Sequence, residues 1–340
     1  MVSIILMIKF NEISVVIQGA IDNDWTQRSI LSVIQYLPGA TIVLSTWSGA
    51  DVSNLEFYDV LVESNDPGYN LCSYEGTKNN LARQIVSTKN GLKQVKTKFA
   101  MKIRSDMTIN GIEYINAFQL YSDCRSEEFK ILKNRIIVSN FYCRNPKRID
   151  LPFHVSDWFQ FGLTEDLLNL WDIEPNEPEN SHYFLSREKP QNVKELSTEL
   201  YGTLFFRYFP EQFIWINFLK KNLINVDVKH YLDNTEENIF ITEKSFANNL
   251  VILDYAQSGI NFNKFDPYLY ARGEFTEPYT HKEWQRLYKQ YCNPSFKVED
   301  EQPQDLPYDF KREARKYVKM FTIPFRVVIR WVISPLKVFN

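Results

Sequence analysis

TKNNLARQIVSTKNGLKQVKTKFAMKIRSD, Thr77 to Asp106, is the stretch around which this chain is organised. It carries eight cationic residues (Lys78, Arg83, Lys89, Lys93, Lys96, Lys98, Lys102 and Arg104) and no acid before its last position, although the whole protein has net charge −3. Its first half has helical spacing: Leu81 and Ile85 lie four apart on one face, Asn79 and Arg83 on another. Its second half, Phe99 to Ile103, is apolar around one lysine and predicts a buried strand running into Arg104-Ser105-Asp106. The carboxyl ends of strands are where an open α/β sheet binds ligands. Arginine forks onto phosphate oxygens, and a lone carboxylate with substrate phosphates and water holds Mg²⁺ or Mn²⁺. The stretch is therefore either a cradle for a diphosphate and a divalent cation, or a solvated lysine-rich helix beside a strand capped by an aspartate.

The residues before it favour the cradle. Ile13 to Ile21 is a nearly continuous apolar strand ending near Gln18-Gly19, as in a parallel strand covered on both faces. Thr26 is a candidate N-cap for a helix Gln27 to Tyr36 with Ile30, Leu31 and Ile34 on its apolar face. Thr41 to Ser45 predicts a second buried strand running into Thr46, Trp47 and Asp51, and Tyr58 to Glu63 a third running into Asp66. Strand, helix, strand, strand, helix, strand fills 107 residues as an α/β nucleotide-binding half. The first turn has neither GxGxxG nor GxxxxGK[ST], which sets aside dinucleotide folds and P-loops.

With 340 residues, 44% of them hydrophobic and 24% charged, the chain suits a large soluble core. The four cysteines lack CxxC spacing, so free thiols in a reducing compartment are expected. Met1 to Phe10 lacks the pattern of a signal peptide, and no run of 18 apolar residues spans a membrane. The expected location is cytoplasmic, with no nucleic-acid partner.

IQGAI, LPGATIVLSTWSG, the NDPG turn, NNLARQIVSTKNGL and KIRSD resemble the WavE lipopolysaccharide-synthesis family, bacterial glycosyltransferase-like proteins of GT-A type. The resemblance is strongest over Ile13 to Asp106 and continues through HVSDWFQFG, His154 to Gly162, and Pro210-Glu211-Gln212. It implies a GT-A-like nucleotide-sugar-binding fold with a mostly parallel central sheet, a nucleotide-sugar donor, and a surface glycan acceptor of lipopolysaccharide or capsule. With such a donor, the first three strand ends would supply contacts from Gln18, Gly19, Thr46, Trp47, Asp51 and Asp66, with Asn80, Arg83, Gln84 and Arg104 facing the phosphates. A GT-A domain holds its metal through Asp-x-Asp, and here a serine, Ser105, precedes Asp106. Asp106 is then the surviving ligand for Mg²⁺ or Mn²⁺, or a ribose contact, and GT-A folds can add a late histidine, here His230.

The second half is less regular. Ile131 to Phe141 predicts a passage from helix to strand. Asp157-Trp158 suits a sugar pocket, the ring stacking on Trp158, or else a turn before a strand. Trp171 to Glu199 is an acidic, proline-rich connection. Glu199 to Phe209 has helical spacing, and Pro210-Glu211 opens another helix, Gln212 to Leu219. Glu211 either favours that helix N-terminus or is the general base for the acceptor hydroxyl, with Asp157 the next candidate. Ile224 to Val228 is strand-like, and His281 to Tyr288 predicts a packing helix.

Residues 1–300 are expected to form the glycosyltransferase domain, split into halves 1–107 and 108–300. Residues 301–340 are a linker and tail. Lys311 to Asn340 carries net +7, leaving −10 on the preceding 310 residues. Such a basic, aromatic amphipathic helix suits an anionic membrane surface at the inner face of the cell membrane, or else docks on the domain with its lysines in water. Two other activities fit the same residues: nucleotidyl or phosphoryl transfer on a related sheet, and a non-catalytic assembly protein of the same fold.

Overall fold

The computed structural model describes residues 8–298 apart from 122–124, 176, 192, 195–196, 199–201 and 263–276. The basic tail lies outside the described residues. The described residues up to 297 form one compact unit.

The expected first-half order is present. Strand β1 (Ile13–Gln18), helix α1 (Asn23–Tyr36), strands β2 (Thr41–Trp47) and β3 (Val60–Ser64), a short β4 (Asn70–Leu71) and β5 (Lys78–Asn79) pair, helix α2 (Leu81–Lys93) and strand β6 (Phe99–Arg104) follow in turn. Then come β7 (Met107–Ile109), α3 (Glu113–Leu120), β8 (Ile136–Ser139), β9 (Gln160–Leu163), α4 (Thr164–Trp171) and α5 (Glu177–Ser181). The chain continues with α6 (Pro210–Lys221), α7 (Glu236–Asn249), β10 (Leu250–Leu253), β11 (Ile260–Phe262) and α8 (His281–Tyr291). The main sheet has seven strands in the order β10-β8-β9-β6-β1-β2-β3. All neighbours are parallel except β9, which runs antiparallel to both β6 and β8. This is a mixed α/β chain with a large, mostly parallel central sheet.

Strands β1 and β6 are buried along almost their whole length, which is why they read as nearly continuous apolar runs. From β1 the chain crosses to β2 on one side; from β3 it returns past β1 to β6 on the other. This reversal leaves a crevice at the carboxyl ends of β1 and β6. Right-handed crossovers then require α1 and α2 on opposite faces. Helix α2 lies very close to its face because of Gly91, where a Cβ would sit 2.5 Å from Val16 Cγ1 and 3.0 Å from Ser45 Cβ.

Several local expectations need correction. Helix α1 starts earlier than Thr26, because the Asp22 carboxylate accepts the Trp25 N–H and caps it. Thr26 is fully buried instead, its hydroxyl accepting from the Asp22 N–H. Residues 131–135 are not helical, since Asp166 takes the Lys133 and Asn134 N–H groups and Asn249 those of Ile131 and Leu132. The helical spacing before Pro210 is misleading over 202–209, which form a loop bonded to Cys72 and Asn180. Ile224 to Val228 is also loop.

Candidate functional site

Three strand ends meet at the crevice. Gln18 pairs in register with Ser45 on β2 and Arg104 on β6. The Gly19 N–H donates to the Ser45 carbonyl at 3.0 Å, and the Ser105 N–H to the Gln18 carbonyl at 3.0 Å. Gly19 has φ 125°, and a side chain there would meet Ser105 Oγ at 3.3 Å, so glycine lets β1 and β6 finish side by side. Beneath them the Ser87 hydroxyl of α2 donates to Gln18 Oε1 at 2.6 Å, fastening the helix to the strand end. An open cavity of about 400 Å³ lies at the ends of β1 and β2, lined by Ala20, Ile21, Trp47, Gly49 and Asp51 among others. The Thr46 hydroxyl is buried with no hydrogen-bond partner. Asp51 is exposed, its carboxylate held below the usual range by hydrogen bonds from Ser53.

The proposed phosphate group divides into two parts. At the start of α2, Arg83 clasps Asp66 through both carboxylate oxygens, at 2.7 and 2.5 Å, and donates to Asn80 Oδ1 at 3.2 Å. This group is substantially exposed, and the Arg83 bond lowers the Asp66 carboxyl. Gln84 has a buried, unpartnered Oε1. Lys89 is tied down by Asp172 and Glu174, so that lysine serves the fold.

At the end of β6, Arg104 clasps Asp106 at 2.9 and 2.8 Å and lies 4.3 Å over the Trp158 ring. Tyr142 stacks on the same tryptophan at 5.4 Å. Lys102, two residues before Arg104 and hence on the same face of β6, is fully buried and donates to the Asp157 carbonyl. Burial lowers its pKa to about 8. Asp157 is 2% exposed, and its Oδ1 has no hydrogen-bond partner. Glu211, in the first turn of α6, feels Asp157, Arg144 and Lys102. Burial, reinforced by the charge of Asp157, pushes its carboxyl up to about 8. The structure thus brings Arg104, Asp106, Asp157, Trp158 and Glu211 into one cluster, although they come from three separate stretches of sequence.

His230 does not join that cluster. Its ring packs 5.5 Å from Phe184, beside the second apolar core of Phe184, Phe205, Phe206 and Tyr231. Among the described residues no three His, Cys, Asp or Glu gather as a metal site, and both Asp106 oxygens are held by Arg104. This donor set does not fit a resident divalent cation.

Sequence reasoning missed Lys102, Tyr142, Arg144 and His154 as neighbours of the site. Lys102 had a usable signal: a lone lysine in an apolar strand, in phase with Arg104. Tyr142 had none, since its left-handed backbone, φ 63°, is a tertiary outcome for a non-glycine residue.

The profile of a family described as WavE lipopolysaccharide synthesis matches residues 13–320. No curated protein shows significant sequence similarity to the chain. Among solved structures, the glycosyltransferase GlyE in Streptococcus pneumoniae TIGR4 is similar at 12% identity, with a TM-score of 0.28. That match covers 49% of this chain and 39% of GlyE, so the chain spans well under half the length of that protein.

Proposed function

The chain belongs to the WavE lipopolysaccharide synthesis family, and from that premise we propose that it is a GT-A-type glycosyltransferase. It moves a sugar from a nucleoside-diphosphate sugar to a hydroxyl of a bacterial surface glycan. The observation that carries this reading is the convergence of an open cavity at the β1 and β2 ends with a cationic, carboxylate-bearing cluster at the adjacent β6 end. The cavity suits the nucleoside, with Trp47 offering a flat face and Asp51 a hydroxyl acceptor. Arg104 lies next in line for the diphosphate. Glu211 takes the acceptor proton, the acceptor oxygen bonds to the anomeric carbon, and the bond from that carbon to the diphosphate breaks. The nucleoside diphosphate leaves with the electron pair. Stabilising its charge is the largest catalytic contribution, and here Arg104 supplies it, released from Asp106 or shared with it. The basic tail is proposed to hold the enzyme against an anionic membrane surface, where a lipid-linked acceptor lies.

The test is thermal shift against UDP, GDP, CMP and their sugars, with and without Mn²⁺, followed by transfer of label from the sugar of the donor that binds. Stabilisation by one nucleotide diphosphate, lost in Arg104→Ala, is expected. Transfer of label from the phosphate instead of the sugar would overturn the reading in favour of phosphoryl transfer.

A further inference from the structure

His154 opens the HVSDWFQFG stretch. Its ring is 1% exposed, and Nδ1 sits 2.8 Å from the Tyr142 carbonyl oxygen. A carbonyl only accepts, so Nδ1 carries the ring proton and Nε2 presents a lone pair. That Nε2 lies 3.7 Å from Glu211 Oε2. Phe209, one residue before α6, packs on the imidazole at 5.2 Å and closes the other side. The backbone on both sides is constrained: Phe153 and Tyr142 hold positive φ of 61° and 63°, and the His154 carbonyl accepts from the Arg144 N–H at 3.0 Å. Burial, helped by the Arg144 charge, drives the imidazole down to about pKa 3, so the contact with Glu211 is not an ion pair at neutral pH. The other charges facing Glu211 are Asp157 from the loop before β9, Arg144 from the loop after β8, and Lys102 and Arg104 from β6.

We propose that His154 is a positioning residue for Glu211: its ring, locked in one tautomer by the Tyr142 carbonyl, offers the carboxyl group a lone pair and keeps water from behind it. Burial and the charge of Asp157 hold Glu211 as the acid; the His154 lone pair adds to them, and Glu211 becomes an unusually strong base once ionised, as a base working near neutral pH requires. The role as base rests on the glycosyltransferase reading; the pairing itself does not. The test is pH-difference infrared spectroscopy of the full chain carrying carboxyl-labelled glutamate, which needs no substrate. The wild type is expected to show a protonated-carboxyl band at pH 7 that bleaches near pH 8 and is missing from Glu211→Gln. In His154→Asn the amide can still donate to Tyr142 while the lone pair facing Glu211 is gone. The bleaching midpoint should then fall by about one pH unit or more, raising the ionised fraction at pH 7 roughly fivefold. His154→Gln, whose amide N–H can reach Glu211, should lower it further and serves if the asparagine variant does not fold. A midpoint unchanged in whichever variant folds, or no such band in the wild type, overturns the proposal. A midpoint that responds to His154 in a protein that transfers no sugar would instead sink the glycosyltransferase reading and leave the pairing intact.

Discussion

Two arginine–aspartate clasps stand near the carboxyl edge of the same sheet, and their surroundings differ. Arg83 and Asp66 meet at the start of α2 with about a third of each side chain in solvent. Arg104 and Asp106 meet at the end of β6 beneath Trp158, where the arginine is about as exposed as Arg83 (27%) but the Asp106 side chain is only 10% exposed. The bond chemistry is the same in both. Water and salt screen the first pair to an expected ~0–1 kcal/mol. The second lies beside the buried ionisable groups Lys102, Asp157 and Glu211, where each acts strongly on the others. Position at a strand end therefore does not set how strongly a charged pair acts on its neighbours; the depth of its surroundings does.

The largest effects should fall on the buried cluster. Arg104→Ala is expected to lower turnover about 10²–10³-fold, and Glu211→Gln about 10²–10⁴-fold, in an assay of sugar release from the donor that binds. Arg83→Ala should cost about tenfold or less, mainly in KM. Equal losses from Arg83→Ala and Arg104→Ala would erase the contrast between the two clasps.

The next effect is on stability as pH changes. Glu211 is raised to about 8 in the folded chain from an ordinary value of 4.5, so the folded state holds its proton longer than the unfolded state. Stability should fall as pH rises from about 4.5 to 8. Lys102 is lowered from 10.5 to about 8, so the unfolded chain binds the extra proton between those values, and stability should rise across that window. Thermal melts should pass through a dip near pH 8. Glu211→Gln should flatten the falling limb and Lys102→Met the rising one; a dip that survives both variants would place its origin elsewhere. The smallest effect is expected from Asp66→Asn, which should change urea-unfolding free energy by about 1 kcal/mol or less and be muted further in high salt.

The first half of the fold was legible because local pattern and tertiary outcome agree there. Runs such as ISVVIQ and FAMKIR are buried on both faces, and that requirement is written in consecutive residues. The helix expected over 199–209 illustrates the opposite case. Leu204, Phe205 and Tyr208 have helical spacing, yet Phe205 donates its N–H to Cys72 and Tyr208 its N–H to Asn180, partners more than twenty residues away. Distant hydrogen bonds outweighed local periodicity. Lys102 shows the same limit within a strand that was otherwise well predicted. A cationic run suggests a solvated face, but one of its lysines is sealed under Asp157, in the loop that leads into β9, the strand paired beside β6.

By itself, the sequence determined the alternation of strands and helices, the polar strand ends, and the candidates Arg104, Asp106, Asp157 and Glu211, because apolar periodicity and residue chemistry are local properties. Only the tertiary structure decided which charges lie buried together, that Arg83 belongs to an exposed clasp while Lys102 lies beneath the site, and that His154 faces Glu211. The energy of a charge depends on everything that displaces water around it, and those neighbours come from parts of the chain that no window of sequence contains.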